Sequence, residues 1–253
     1  MTRSDEYRSA LLALTGSEAW EPYLLAHSGL PGPRGNLELA HVAAEEADEA
    51  QLARWRALTP EKAPVNSPEE FLVFCGVLGL GRELVTAKET SALRELRAFA
   101  ADPRWRTREA VAMALQRWGD VDMAGLLAAM TEWADGGDPW QQRAAAAALC
   151  EPRLLRNPQH AAAVLGILDA ITQQLVVAPP EGRKIEAFKV LRQGLAYCWS
   201  VAVVASPDTG KPLMEKWLVS GNPDARWIMR ENLKKNRLQK MDPVWIAAML
   251  RLS

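Results

Sequence analysis

An all-α fold is predicted by three features of the sequence. Ala, Leu, Arg, Glu and Gln dominate its periodic segments, and these are the residues that lose least on entering a helix. Alternation of β-branched with polar residues, the mark of a half-buried strand, is scarce. Gly or Pro punctuates the chain between apolar-periodic stretches of helical length. In chain order the expected helices run Ser4–Leu14, Ser17–His27, Asn36–Leu58, Ser67–Leu78, Lys88–Ala100, Pro103–Trp118, Val121–Trp133, Pro139–Cys150, Pro158–Val176, Arg183–Val204, Pro212–Val219, Pro223–Asn236 and Pro243–Leu250. Their start signals are local. Ser67-Pro68-Glu69-Glu70 supplies a cap, a first-turn proline and a capping-box glutamate. Asp102-Pro103, Asp138-Pro139, Asn157-Pro158, Asn222-Pro223 and Asp242-Pro243 each place a side-chain acceptor before a proline that has no N–H to satisfy.

Composition narrows the class. With 253 residues, 49% hydrophobic and 24% charged, the chain has the balance of a globular protein rather than a disordered or collagen-like one. Thirty Lys and Arg against 31 Asp and Glu give a net charge of -1, which excludes a polycation but leaves room for a local basic patch. Cys75, Cys150 and Cys198 are widely spaced, lie in apolar stretches and form no CxxC pair; they are expected to be buried, reduced thiols of a cytoplasmic protein. The polar, acidic start does not resemble a signal peptide, and Leu195–Ala205 is too short an apolar run to span a bilayer, so no membrane association is expected.

The Asp/Asn-Pro starts belong to an internal repeat. Asp102, Asp138, Pro179 and Asn222 are spaced by 36, 41 and 43 residues. One position on stand Pro103, Pro139, Pro180 and Pro223; four on, Arg106, Gln142, Arg183 and Arg226; eleven on, Met113, Leu149, Val190 and Leu233. Such a unit cannot cover its own apolar face, so a core is expected from the stacking of neighbouring helical pairs.

The segments from Asp102 to Ala112 and from Asn222 to Leu233 resemble inner-helix signatures of HEAT repeats, and the first is similar in style to the HEAT-like branch that contains the alkylpurine DNA glycosylases. The resemblance implies an α-α superhelix, a right-handed solenoid, over 66–253, capped by extra helices in 1–65, with the whole chain a single domain. It also implies two functions: a non-catalytic scaffold, or a DNA binder with glycosylase-like repair activity. A glycosylase of that family is expected to carry an Asp after paired tryptophans; Glu132-Trp133-Ala134-Asp135 departs from that order, which makes Asp135 a helix-end residue and a non-catalytic protein the favoured expectation.

Candidate partner-binding residues cluster in the first turns of the repeat helices: Trp105, Arg106 and Arg108, Trp140 and Arg143, and Trp227 beside a basic stripe. At about 100° per residue, Arg226, Arg230, Lys234 and Arg237 share one face of the expected helix, opposite Ala225, Ile228, Met229, Asn232 and Leu233. Guanidinium groups one turn apart suit phosphates or carboxylates, and an indole beside them offers a stacking surface. A protein or a nucleic acid would satisfy that chemistry. The plainer alternatives are a solvated helix face and tryptophans that fill gaps between repeats. Arg34, Gly35 and Asn36, at the end of a Gly- and Pro-rich loop, form a weaker candidate for anion binding, although no P-loop lysine is present. Glu38, Glu45, Glu46, Asp48 and Glu49 make the following segment acidic. His27, His41 and His160 show no zinc spacing, and neither a metal nor a cofactor is expected.

Overall fold

The structure, a computed structural model, describes residues 2–16, 19–86 and 90–252, and among these it contains fifteen α-helices and no strand. The expected starts at Ser17 and Lys88 lie outside the described residues. The chain divides into two compact units, Met1–Trp118 and Gly119–Ser253. No helix among the described residues is long and apolar enough to cross a membrane.

The first unit contains α1 (Arg3–Ala13), α2 (Trp20–His27), α3 (Leu37–Glu46), α4 (Glu49–Arg56), α5 (Pro68–Thr86), α6 (Thr90–Phe99) and most of α7 (Trp105–Val121). Its centre is α5, which packs against α2, α3, α4 and α6 and is buried from Glu70 through Gly81. A helix apolar on all sides is what such a position requires. Two expected boundaries change. The single helix expected over Asn36–Leu58 is two, because Ala47 is extended and the Asp48 side chain accepts from the Gln51 N–H at 2.8 Å, capping α4. The helix expected to end at Leu78 continues to Thr86. Its glycines are not terminators: a Cβ on Gly81 would meet the Ala114 backbone at 2.7 Å, so Gly81 permits close approach of α7.

The start of α5 also departs from the expected capping box. Ser67 Oγ has no partner among the described residues, and Glu70 accepts from the N–H of Asn66, not of Ser67, at 2.6 Å. Likewise α7 opens at Trp105 rather than Pro103, since Asp102 accepts from Arg104 N–H at 2.8 Å and holds the buried Arg104 guanidinium.

A cluster of charges ties α4, α5 and α6 together. Arg56, largely buried, faces Glu49 at 2.6 Å, Glu83 at 3.3 Å and Glu95 at 3.2 Å. Burial, and then the neighbouring Glu49 carboxylate, push Glu83 up to about 7 despite Arg56, while hydrogen bonds from Glu83 and Arg56 hold Glu49 below the usual range. The native state therefore binds the Glu83 proton more tightly than the unfolded chain does. The stability from that proton is full below the ordinary glutamate value of 4.5 and is lost as pH rises through about 7. Urea midpoints of E83Q, whose amide mimics the protonated acid, should fall less than those of the parent between those two values; parallel profiles would refute this assignment. Arg56, Arg82 and Glu95 are the other charged groups facing the pair.

The second unit contains α8 (Met123–Asp135), α9 (Pro139–Leu149), α10 (Pro158–Val176), α11 (Glu186–Ala205), α12 (Pro207–Leu218), α13 (Pro223–Leu233), α14 (Asn236–Met241) and α15 (Pro243–Leu252). Sequential neighbours pair as α8 with α9, α10 with α11 and α12 with α13; α11 packs between α9 and α13, and α10 touches both α8 and α12. Asp138, Asn157 and Asn222 cap α9, α10 and α13 with proline at the first turn, as expected. Pro212 does not open a helix: α12 begins at Pro207 and carries Pro212 inside it. The third repeat start is replaced by a 3-10 turn at Gly182–Lys184, after which α11 begins at Glu186.

In two of the repeats the polar residue four positions in has a structural task. Gln142 donates to the Ala134 carbonyl at 3.0 Å, and Arg183 donates to those of Val176 and Ala178 at 3.2 Å. The Ala134 and Val176 carbonyls are orphans at the ends of α8 and α10, and Ala178 lies just past the cap of α10. Half of the ten tryptophans also serve the core: Trp20, Trp55, Trp133, Trp199 and Trp217 are buried. The indole N–H of Trp199 reaches Thr172 at 3.2 Å and that of Trp217 reaches Asp169 at 2.6 Å.

Candidate functional site

The basic stripe is real in composition but is not one helix face. α13 ends at Leu233, Lys234 is its C-cap, Lys235 is extended, and Arg237 lies on the separate helix α14. The projection that placed Arg226, Arg230, Lys234 and Arg237 on a single stripe therefore fails at Arg237. Ala225, Ile228, Met229, Asn232 and Leu233 are all buried, as the projection of α13 itself requires.

What α11, α13 and α14 do instead is bring cations and aromatic rings together between helices. The guanidinium of Arg192, on α11, lies 3.9 Å from the centre of the Trp227 ring. Arg192 also pairs with Asp224 at 3.0 Å, and Arg183 reaches the same carboxylate at 3.5 Å. One turn further along α11, Tyr197 is exposed, with Arg237 at 4.6 Å and Lys235 at 5.7 Å from its ring centre. Arg237 donates to the Tyr197 hydroxyl at 2.5 Å. Such stacks fix the long side chains; the charge of Arg192 is matched by Asp224, while Arg237 has no ion-pair partner among the described residues. Lys234 is neutralised by Glu231 at 2.5 Å. Arg226 and the exposed Arg230 have no ion-pair partner among the described residues.

Sequence reasoning missed Arg192 and Tyr197. Their signal was spacing along α11, but it becomes meaningful only once α11 is known to lie against α13 and α14.

The other candidates have different surroundings. Arg106 is 5% exposed; it donates to Glu70 at 3.2 Å and to the Gly32 carbonyl at 2.7 Å, and lies over Trp105, itself exposed. Arg108 is buried and donates to the carbonyls of Asp102 at 2.6 Å and Pro103 at 3.1 Å. Trp140 and Arg143 are half-buried on α9. Asn36 is occupied, capping α3 through Leu39 N–H and donating to Tyr7 and to the His27 carbonyl; Arg34 is exposed and Gly35 half-buried.

Asp135 is exposed at the last position of α8, and Trp133 beside it is packed in the core. No group of His, Cys, Asp and Glu among the described residues could hold a metal ion. All three cysteines are free and buried. Burial pushes the Cys75 thiol up, and burial together with the adjacent Cys198 thiol does the same to Cys150, so neither favours the thiolate that nucleophilic chemistry needs. No protein-family model, curated protein or solved structure matches the chain.

Proposed function

We propose that the chain is a helical-repeat binding module, non-catalytic, whose second unit presents the cationic and aromatic face of α11, α13 and α14 to an acidic segment of a partner protein. The observation that carries this reading is the pairing of fixed aromatic-cation stacks, Trp227 under Arg192 and Tyr197 under Arg237, with the uncompensated Arg226 and Arg230. A HEAT-like solenoid is supported by the sequential pairs α8–α9, α10–α11 and α12–α13 and by α11 lying between α9 and α13. An acidic protein is favoured over a nucleic acid because Asp224 and Glu231 are interleaved with the cations. A polypeptide can route its side chains around them, whereas a regularly charged phosphate backbone meets repulsion.

Fluorescence anisotropy with a labelled acidic peptide tests the reading, with duplex and single-stranded DNA of equal charge run beside it. Reversal of both free charges in the R226E/R230E double variant should weaken peptide binding about tenfold or more, the loss growing as salt is lowered. Tighter binding of DNA, with a log-log salt slope of about 0.9 per phosphate contact, would favour the nucleic-acid alternative. Unchanged affinity for every probe in the double variant would mean that the face is merely solvated.

A further inference from the structure

A pocket of about 270 Å³ opens in the first unit, walled by Leu30 of the loop, Phe71 and Phe74 of α5 and Trp105 of α7. Arg34 and Arg106 also line it. Trp105 is 43% exposed and Leu37, also in the lining, is 44% exposed, so large apolar side chains face a concave space rather than the core. Preformed concave surfaces of this kind, apolar with few polar groups, are where small ligands bind.

A network of hydrogen bonds that runs inward from the exposed Asn66 to the buried Glu70 and Arg106 borders the pocket. The Gly32 N–H donates to Asn66 Oδ1 at 3.1 Å, while the Gly32 carbonyl accepts from Arg106 at 2.7 Å. Glu70 Oε2 receives both Asn66 N–H at 2.6 Å and Arg106 Nη1 at 3.2 Å. Gly32 has no room for a Cβ, which would lie 2.4 Å from the Gly29 carbonyl oxygen. Four buried polar atoms without a partner among the described residues, Ser67 Oγ, Glu70 Oε1, Arg106 Nε and Thr107 Oγ1, belong to the same two helix starts. Buried unsatisfied groups are costly and are expected to concentrate where packing yields to function.

Charge then selects the ligand. The charge of Arg106 is matched by Glu70 and covered by the Trp105 ring at 4.3 Å. Glu109, also on the wall, is engaged by interactions of its own. Arg34 is exposed and has no ion-pair partner among the described residues, so one cation of the lining remains unmatched. We propose that this pocket binds a small aromatic carboxylate, its ring against Phe71, Phe74 and Trp105 and its carboxylate on the Arg34 guanidinium. One planar, singly charged acceptor matches one guanidinium fork, whereas a phosphate dianion would call for a second cation. The proposal concerns the first unit alone and stands apart from the reading of α11, α13 and α14.

Isothermal titration of the full chain with 2-naphthoate, and with the neutral 2-naphthalenemethanol, tests it. Binding at a single site in the millimolar range or tighter is expected. Arg34→Gln should weaken the acid about tenfold and leave the alcohol unchanged, since it removes only a charge-assisted hydrogen bond. Trp105→Ala should weaken both about tenfold, and Trp105→Phe should restore most of the loss. Lys184→Gln, at an exposed position of the second unit, should change neither. Absence of saturable binding would overturn the proposal, as would equal loss of acid and alcohol in Arg34→Gln or full affinity in Trp105→Ala. Arg34 is exposed, so the acid-alcohol contrast in that variant remains decisive if Trp105→Ala lowers stability.

Discussion

Arg106→Met should cost about 3–5 kcal/mol of stability, the range expected when one partner of a buried ion pair is removed and the other remains. Glu70 is 0% exposed, and without Arg106 it would keep only the Asn66 N–H as a donor. The Gly32 carbonyl would lose its guanidinium partner as well. Replacing both charges, as Glu70→Leu with Arg106→Met, removes the stranded carboxylate and should return about 2 kcal/mol of that loss. It should not return everything, because the Asn66 N–H and the Gly32 carbonyl still lack partners. Urea unfolding of the two single variants and the double variant gives the coupling directly. A single-variant loss below about 1 kcal/mol would mean that Arg106 and Glu70 act as a surface pair does.

The second large effect is expected at Asn232, a fully buried amide on the apolar face of α13. Its Nδ2 donates to the carbonyls of Leu195 at 2.9 Å and Ile228 at 2.8 Å, and its Oδ1 accepts from Ser200 N–H at 2.8 Å. One side chain thus stitches α13 to two backbone groups of α11, the helix that also carries Arg192 and Tyr197. Asn232→Ala should cost about 3 kcal/mol, since three buried hydrogen bonds that supplement the helical ones are lost and a small cavity is left. Asn232→Asp separates the two halves of the role. It keeps an acceptor for Ser200 N–H but turns a carboxylate toward two carbonyls, so it should be at least as destabilising near neutral pH and recover on acidification as the carboxyl takes up a proton. Hydrogen exchange of the Ser200 amide should accelerate in the Ala variant. Unaltered protection there would show that α11 does not depend on this contact.

Helix content and most helix starts follow from local chemistry. A side-chain acceptor before proline at Asp138, Asn157 and Asn222 needs nothing beyond its own few residues to set a cap, and α9, α10 and α13 begin there. The apolar face of α13 was equally legible, because a period of about 3.6 residues sorts side chains before any partner helix is known. Boundaries that depend on neighbours were not. Gly81 resembles a helix terminator in sequence and is instead the point at which α7 approaches α5. Asp48 looks like one acid among several on a helix face, yet it divides α3 from α4.

Tertiary structure alone decided which charges are free. Arg106 and Arg226 occupy the same repeat position in the sequence, but the first is paired with Glu70 while the second has no ion-pair partner among the described residues. The basic stripe was drawn on one helix and came apart at Lys235, where extended backbone passes Arg237 to α14 and to the ring of Tyr197. Periodicity and capping act over one or two turns, so a sequence states them directly. Ion pairs and ring stacks join residues tens of positions apart, and only the packing of helices against one another brings those residues within reach.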